Sequence, residues 1–349
     1  MIAKRAGVSA VTVSRVLNGK IKGSRPGSAQ RIAEIHRIAD ELGYRPNISA
    51  RNMANGRFNS IGLIRGTNDC TSHDFGGRLT WHIEQTLSRR GFGVLIGTMD
   101  DRQLDDVAYV PQLLRELSSD GLIINYTHNL PRHMATLIDE HRLPVVWPNS
   151  KRRFNSVYPD DLNAGRRATE LLLRMGHQRI AYASTEAVPF SEPHYSKVDR
   201  LAGYQAAMAG AGFSPRNITL PQQWQLAAPR LEQLLTASTP GDRPTAIVGY
   251  SFFEGATAML AGMRAGLRVP RDLSVVGIGS YEPSAVGIAM TMLEIPVREM
   301  GEAAAQMLVD RIANPTASVP SVSLPFSLFE GDTVGPLPLA PEAPAGMAR

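Results

Sequence analysis

The residues with recognisable binding chemistry gather at the amino terminus. Ala10, Val11, Ser14 and Arg15 recur on what would be the exposed front of a short helix. Such a front enters a DNA major groove with its first residues toward the base edges. Ser28 and Arg31 stand where a later helix should begin, a position suited to a phosphate. Catalytic chemistry is harder to find. Gly249-Tyr250-Ser251-Phe252-Phe253 lacks the second glycine of a nucleophile elbow. Gly277-Ile278-Gly279-Ser280-Tyr281-Glu282 is a dinucleotide fingerprint without its third glycine. The eight histidines are scattered, and nothing pairs His73, His82, His128 or His194 with a nucleophile. Cys70 is the single cysteine, and no Cys/His set has zinc-site spacing. The pattern predicts a protein that is not an enzyme and has no metal or other cofactor.

Short elements must hold that front in place. Ile2, Ala3 and Ala6 form the inner face of a first helix, Gly7 takes the positive φ of a sharp turn, and Ser9 is an N-cap for the next helix. Val13, Val16 and Leu17 pack back at helical spacing. A third helix over about 28–42 carries Ile32, Ile35, Ile38, Ala39 and Leu42 as its stripe, and Gly43-Tyr44-Arg45-Pro46 stops it. Asn47 to Gly56 has the caps of one more short helix and too few apolar residues to pack as a core helix. The charge agrees. Residues 1–59 hold eleven Lys/Arg against three Asp/Glu, a surplus of eight in a chain whose net charge is +5, so the rest sums to −3. A basic head on a mildly acidic body is the footprint of a nucleic-acid binder.

From Ser60 short apolar runs alternate with amphipathic stretches. Strands are predicted at 61–64, 93–97, 121–124, 144–147, 179–183, 245–248 and 273–278. Helices are predicted near 75–90, 104–118, 131–140, 163–175 and 199–211, with one more ending at Gly266. The alternation predicts an α/β fold of two parallel doubly wound lobes with a cleft outside the carboxyl ends of the strands. No apolar run approaches the ~18 residues of a membrane span. With no apolar segment following Met1–Arg5 and one cysteine, a cytoplasmic protein with no membrane partner is expected.

The chain resembles the LacI/GalR family of bacterial transcription regulators. The likeness is carried by Ala6-Gly7-Val8-Ser9, by Thr12-Val13-Ser14-Arg15-Val16-Leu17-Asn18, by Leu42-Gly43-Tyr44-Arg45-Pro46-Asn47 and by Ala50-Arg51. In the body, Gly176-His177-Gln178-Arg179-Ile180-Ala181, Arg200-Leu201-Ala202-Gly203-Tyr204, the segment Gly266 to Gly277 and Glu299-Met300-Gly301 extend it. The resemblance implies a periplasmic-binding-protein-like core crossed by three linkers. It implies a headpiece over 1–45 and a hinge over 46–59, a first lobe of 60–159 with about 290–318, a second of 160–289 with about 319–332, and a flexible tail over 333–349. It implies that Ala10, Val11 and Arg15 face bases, and that Ser9, Thr12, Ser14, Asn18 and Arg31 anchor phosphates or the turn. Asn47 would serve the hinge, and Met53 would wedge into the minor groove. The partners implied are a near-palindromic double-stranded operator, a second copy of the chain and a small effector.

Positions matching the family's effector contacts are Arg65, Asn125, Asn149, Asp160, Arg200, Trp224, Ser251, Phe252 and Gly279. Arg200 is the strongest of them, and Trp224 either stacks on a sugar face or fills core. Two departures concern the head: Met1 stands at about the first helix's cap position, and Gly19–Gly27 is about four residues longer than usual and basic. A third concerns the cleft. Ser251-Phe252 and Gly279-Ser280 stand where the family usually has Asn-Asp and Asp, while Arg65 adds a cation. An acidic sugar derivative or phosphorylated metabolite is therefore expected over a neutral hexose. A transporter's solute-binding protein would call for a secretion signal and no basic head, and a sugar-modifying enzyme for a catalytic pair in the cleft.

Overall fold

A computed structural model describes residues 1–17, 21, 27–44, 57–66, 75–100, 103, 106, 108–116, 118–126, 130–186, 193–239, 241–280 and 287–337, with Trp224 as main chain only. The chain forms two compact units, Met1–Asn59 and Ser60–Arg349.

In the first unit, α1 (Ile2–Arg5), α2 (Ala10–Leu17) and α3 (Ser28–Glu41) surround one small core. Ile2, Val13, Val16, Ile35, Ile38 and Ala39 form it, with Leu17, Ile32 and Leu42 at its margin. Gly7 turns the chain with φ +61°. Ser9 Oγ accepts the amide of Thr12 at 3.1 Å and so caps α2. Arg5 reaches Glu41 across the unit at 3.2 Å. Asn18, Asn47, Met53, the loop around Lys20–Arg25 apart from Ile21, and residues 46–56 of the hinge lie outside the described residues.

The second unit holds two six-stranded sheets. β1 (Ser60–Gly66), β2 (Gly93–Met99), β3 (Gly121–Asn125), β4 (Val145–Pro148) and β5 (Ser156–Pro159) build the first lobe, with α4 (Phe75–Arg89), α5 (Gln112–Arg115) and α6 (Arg132–Glu140) between them. The chain then enters the second lobe through α7 (Asp161–Arg174), β6 (Ile180–Thr185), α8 (Tyr195–Gly210), β7 (Arg216–Leu220), α9 (Trp224–Ala237), β8 (Ala246–Gly249), α10 (Phe252–Arg264) and β9 (Ser274–Gly279). It ends in β10 (Thr291–Glu294), α11 (Val297–Ala313), β11 (Val322–Leu324) and β12 (Ser327–Phe329). The sheet orders are β11-β5-β4-β3-β1-β2 and β12-β10-β9-β8-β6-β7. All pairings are parallel except β10 with β12. The central strands β3, β8 and β9 are buried along their whole length, as two-sided cover by helices requires.

Four expectations are corrected here. The helix expected near 104–118 is confined to Gln112–Arg115 among the described residues, because Pro111 can open a helix but not sit inside one. The return to the first lobe does not begin near 290. Thr291–Glu294 pairs with β9 and buries Met292 and Leu293 on opposite faces of the second sheet, and α11 then packs on the first. The return to the second lobe does not begin near 319. Val322–Leu324 first extends the edge of β5, where Asp160 N also donates to Leu324 O at 2.8 Å. Finally, the flexible tail cannot start at 333. Thr333 is fully buried, accepting from the Thr291 amide at 2.9 Å and donating to Val275 O at 2.7 Å. Leu337 N donates to Met175 O.

Two glycines draw α7 and α8 unusually close. A Cβ on Gly165 would lie 2.0 Å from the Arg200 carbonyl oxygen, and one on Gly203 2.0 Å from that of Leu162. Beyond them, Tyr204 is buried with its hydroxyl donating to Ile180 O at 2.9 Å and accepting from Arg216 N at 2.7 Å, which ties α8 to β6 and β7.

His177 ties the far end of this lobe together. Its Nε2 lies 3.1 Å from Gly335 O and 3.0 Å from Ser274 Oγ, and its Nδ1 lies 3.0 Å from Thr245 Oγ1. A carbonyl only accepts, so the ring proton sits on Nε2 and Nδ1 accepts from Thr245. Burial lowers the ring's pKa, the Gly335 carbonyl opposing it in part. Folding thus favours the neutral ring, while the unfolded ring titrates near ~6.5. The contribution is whole above that pH and is lost as pH falls toward the depressed folded value. His177→Leu should cost about 1–3 kcal/mol at pH 7.5 by removing the hydrogen bonds through which the ring joins Thr245, Ser274 and the Gly335 carbonyl. It should also flatten the fall in melting temperature between pH 7.5 and 5.5. An equal fall in both proteins would contradict this account.

Candidate nucleic-acid interface and ligand cleft

One face of α2 is buried through Val13 and Val16, which leaves Ala10, Val11, Ser14 and Arg15 on the other. Val11 is 64% exposed, an apolar side chain held out on a rigid helix. Two of the unit's three acids are spent elsewhere: Glu34 pairs with Arg37 at 2.6 Å, and Glu41 pairs with both Arg37 and Arg5. Arg37 accordingly holds the Glu34 carboxyl below its ordinary range. Arg15, and Arg31 in the first turn of α3, are exposed and make no ion pair among the described residues. Ser9 and Thr12 face each other, their hydroxyls 2.9 Å apart, so both secure the turn. The arrangement presents a small apolar side chain and a free guanidinium beside a basic rim, the equipment for reading a groove edge between phosphates.

In the core, the expected contacts converge on the carboxyl ends of strands from both lobes. Arg65 is the second-last residue of β1 and stands in register with Asn125 at the end of β3. Asn149 follows β4 with φ +56°, its carbonyl 3.1 Å from His194 Nε2. Asp160 caps α7, its Oδ1 accepting the Asn163 amide at 3.1 Å. Ser251 caps α10: its hydroxyl accepts the Phe253 amide at 3.0 Å and bonds Glu254, whose carboxylate also takes the Ser251 amide at 3.0 Å and the Thr185 amide at 3.2 Å. Gly279 ends β9, with Phe252 N 3.4 Å from where its Cβ would lie.

Two residues are placed otherwise. Phe252 packs against the core cluster beneath α10. Trp224 begins α9, beyond the edge strand β7, and nothing is described of its side chain. Arg200 lies at the ends of β8 and β9 but is only 5% exposed and committed inward. Its Nε donates to Asp161 Oδ1 at 2.6 Å, and its Nη1 to the carbonyls of Tyr250 at 2.7 Å and Ile278 at 3.2 Å. It therefore fastens the ends of β8 and β9 to the first turn of α7. Its guanidinium also lies 4.9 Å from the Tyr250 ring centroid.

Several residues at this locus escaped sequence reasoning. Asp161 had no motif to reveal it. Ser251-x-x-Glu254 is a capping box, a pattern legible in the sequence. Contacts between the lobes gather here too. Lys151 pairs with Asp199 at 2.7 Å, Tyr158 meets Tyr195 edge-on, and Arg78 donates to Ser280 Oγ at 2.9 Å. Among the described residues no His/Cys/Asp/Glu group can hold a metal ion. None of the described helices is long and apolar enough to cross a membrane.

Known proteins share this design. Residues 2–47 match the family of bacterial regulatory proteins, lacI family, and residues 169–334 match the periplasmic binding protein-like domain. The transcriptional regulator CelR of Thermobifida fusca is 29% identical over 90% of this chain and 92% of its own length. The transcriptional repressor PurR of Escherichia fergusonii is 27% identical over 95% of each. Among solved structures, the lac repressor dimer bound to operator and the anti-inducer ONPF superposes with a TM-score of 0.79 at 24% identity, covering 96% of this chain and 98% of that one. The CelR–cellobiose complex gives 0.65 at 25% identity over 95% and 98%. With an N-terminal helix-turn-helix DNA-binding domain and a two-lobed periplasmic-binding-protein-like core, the chain is a transcription regulator of the LacI family.

Proposed function

We propose that the protein binds a near-palindromic operator as a homodimer, one α2 per half-site, and that a sugar or sugar-derived metabolite held between the lobes sets its affinity for that operator. On this reading Ala10, Val11 and Arg15 face the bases, while Ser14, Asn18 and Arg31 meet phosphates. Asn47 and Met53 serve the hinge, and such work places the protein in the cytoplasm, on the nucleoid when bound. The observation that carries it is the front of α2, where an exposed Val11 sits beside an Arg15 that has no ion-pair partner among the described residues.

Exposed apolar side chains support the second copy. Phe253, Leu260 and Met263 share one face of α10, and Leu95 and Ile96 lie exposed on the edge strand β2. Unpaired apolar edges of this kind invite a partner. A ligand that fits one spacing of the lobes better than another shifts their equilibrium, and the operator affinity linked to it shifts equally.

A gel-shift on the DNA upstream of the protein's own gene tests the reading. A discrete complex is expected, weakening with salt. Arg15→Ala should bind about 10–100-fold more weakly, the ~1–3 kcal/mol of a lost bidentate base contact. Absence of any shift at low salt, with and without sugars, would overturn it.

A further inference from the structure

The carboxylates at the carboxyl ends of the strands already have work. Asp161 is paired with Arg200 and Asp199 with Lys151, Asp160 holds the Asn163 amide, and Glu254 holds the Ser251 and Thr185 amides. Glu294, at the end of β10, has its pKa raised by burial, against the pull of the nearby Arg78 cation. Arg65 differs from the other cations of this locus. It makes no ion pair among the described residues, and its Nε is buried without a hydrogen-bond partner. In register beside it, Asn125 is only 3% exposed, and its Oδ1 is likewise buried and unpartnered. β1 and β3 are interior strands of the first sheet, so the pair stands at the middle of its carboxyl edge, where open α/β sheets take their ligands. A buried donor and a buried acceptor left unmade, side by side, are costly enough to require a reason.

We propose that Arg65 and Asn125 form an anion-and-hydroxyl subsite on the first lobe, and that the effector is a small hydroxylated anion. This rests on the reading of an effector held between the lobes and names its chemistry. A guanidinium donates two parallel bonds to a carboxylate or a phosphate, and the Asn125 oxygen accepts a hydroxyl next to that group. A sugar acid and a sugar phosphate both offer this pairing. Arg200 is then a positioning residue: its charge is balanced by Asp161, and it shapes the second-lobe wall through the Tyr250 and Ile278 carbonyls.

The test measures binding of D-gluconate, D-glucuronate, glucose 6-phosphate and 6-phosphogluconate to the full-length protein by calorimetry and thermal shift, with D-glucose and cellobiose as neutral controls. At least one acid should bind, and the carboxylate and phosphate arms tell the two sources apart. Arg65→Met should weaken that acid about 10–100-fold, and Arg65→Lys should retain part of the affinity. The ligand-free melting temperature of Arg65→Met should equal or exceed that of the parent, because an unpaired buried group is removed. Equal acid binding by parent and Arg65→Met overturns the assignment. So does a response to neutral sugars alone, to none of the six, or a fall in the variant's stability with acid binding kept. Failure of the wider reading shows separately, as absence of the operator complex.

Discussion

Replacing Arg200 with methionine is expected to destabilise the core by about 3–5 kcal/mol, the cost of leaving one partner of a buried ion pair alone. Asp161 is 1% exposed, and its Oδ2 already lacks a partner, so loss of the guanidinium would leave a carboxylate with neither water nor counter-ion. The loss does not stop at one pair. The Tyr250 and Ile278 carbonyls also depend on the same side chain, so the ends of β8 and β9 would lose a common fastening. The double variant Asp161→Leu with Arg200→Met should recover much of the cost, because removing both charges costs far less than removing one. Urea unfolding of the parent, both single variants and the double variant decides this. A single-variant cost below 1 kcal/mol would mean that the pair behaves as a surface pair.

Gly203→Ala should cost 3 kcal/mol or more, at or beyond the usual ~1–3 kcal/mol of overpacking. The added carbon would meet the Leu162 carbonyl oxygen and the Arg166 amide nitrogen, and backbone atoms inside a helix cannot swing aside as a side-chain tip can. Helices α7 and α8 would have to separate, and Arg200 rides on α8 directly across from Gly165. Gly210→Ala in the same helix is the matched control. No atom lies within 4 Å of where its Cβ would stand, so stability should hold or rise by up to ~1 kcal/mol. Equal effects at the two positions would show that helix propensity, not the close approach, governs both. Thermal and urea melts of the two variants are sufficient.

Much of this architecture was legible beforehand, for physical reasons. Buried parallel strands are continuous apolar runs, so 61–64, 121–124, 245–248 and 273–278 announce themselves. Strands at sheet margins do not. Arg216–Leu220 is mostly exposed, and Ser156–Pro159 is short and ends in proline. Helix α9 was missed as well, for it carries Pro229 inside it, which argues against a helix when read locally. The assignment of 290–337 to lobes failed because pairing is non-local: nothing within Thr291–Glu294 says which sheet edge it will find. The turn at Gly7 and the cap at Ser9 were legible because the interactions span three or four residues. At the cleft, the family likeness drew attention to Arg200 but left its partner unseen, since Asp161 lies 39 positions away. The orphaned Arg65 and Asn125 atoms are properties of packing and have no trace in spacing.

The three crossings between lobes bear on how the chain is made. The headpiece core draws only on residues 2–42, so it can close while the remainder is still being synthesised. The first lobe cannot. Ile61, Leu63 and Ile83 share one cluster with Val297, Met300, Ala304 and Leu308, more than two hundred positions later. Until α11 has left the ribosome, that apolar face has no cover, and closure over so long a loop is slow. A product truncated anywhere between Leu42 and Val297 would thus carry a finished DNA-reading head on a body with neither lobe complete. Such fragments should be prone to aggregation and proteolysis, and roughly the last sixth of the message decides whether the first lobe exists at all.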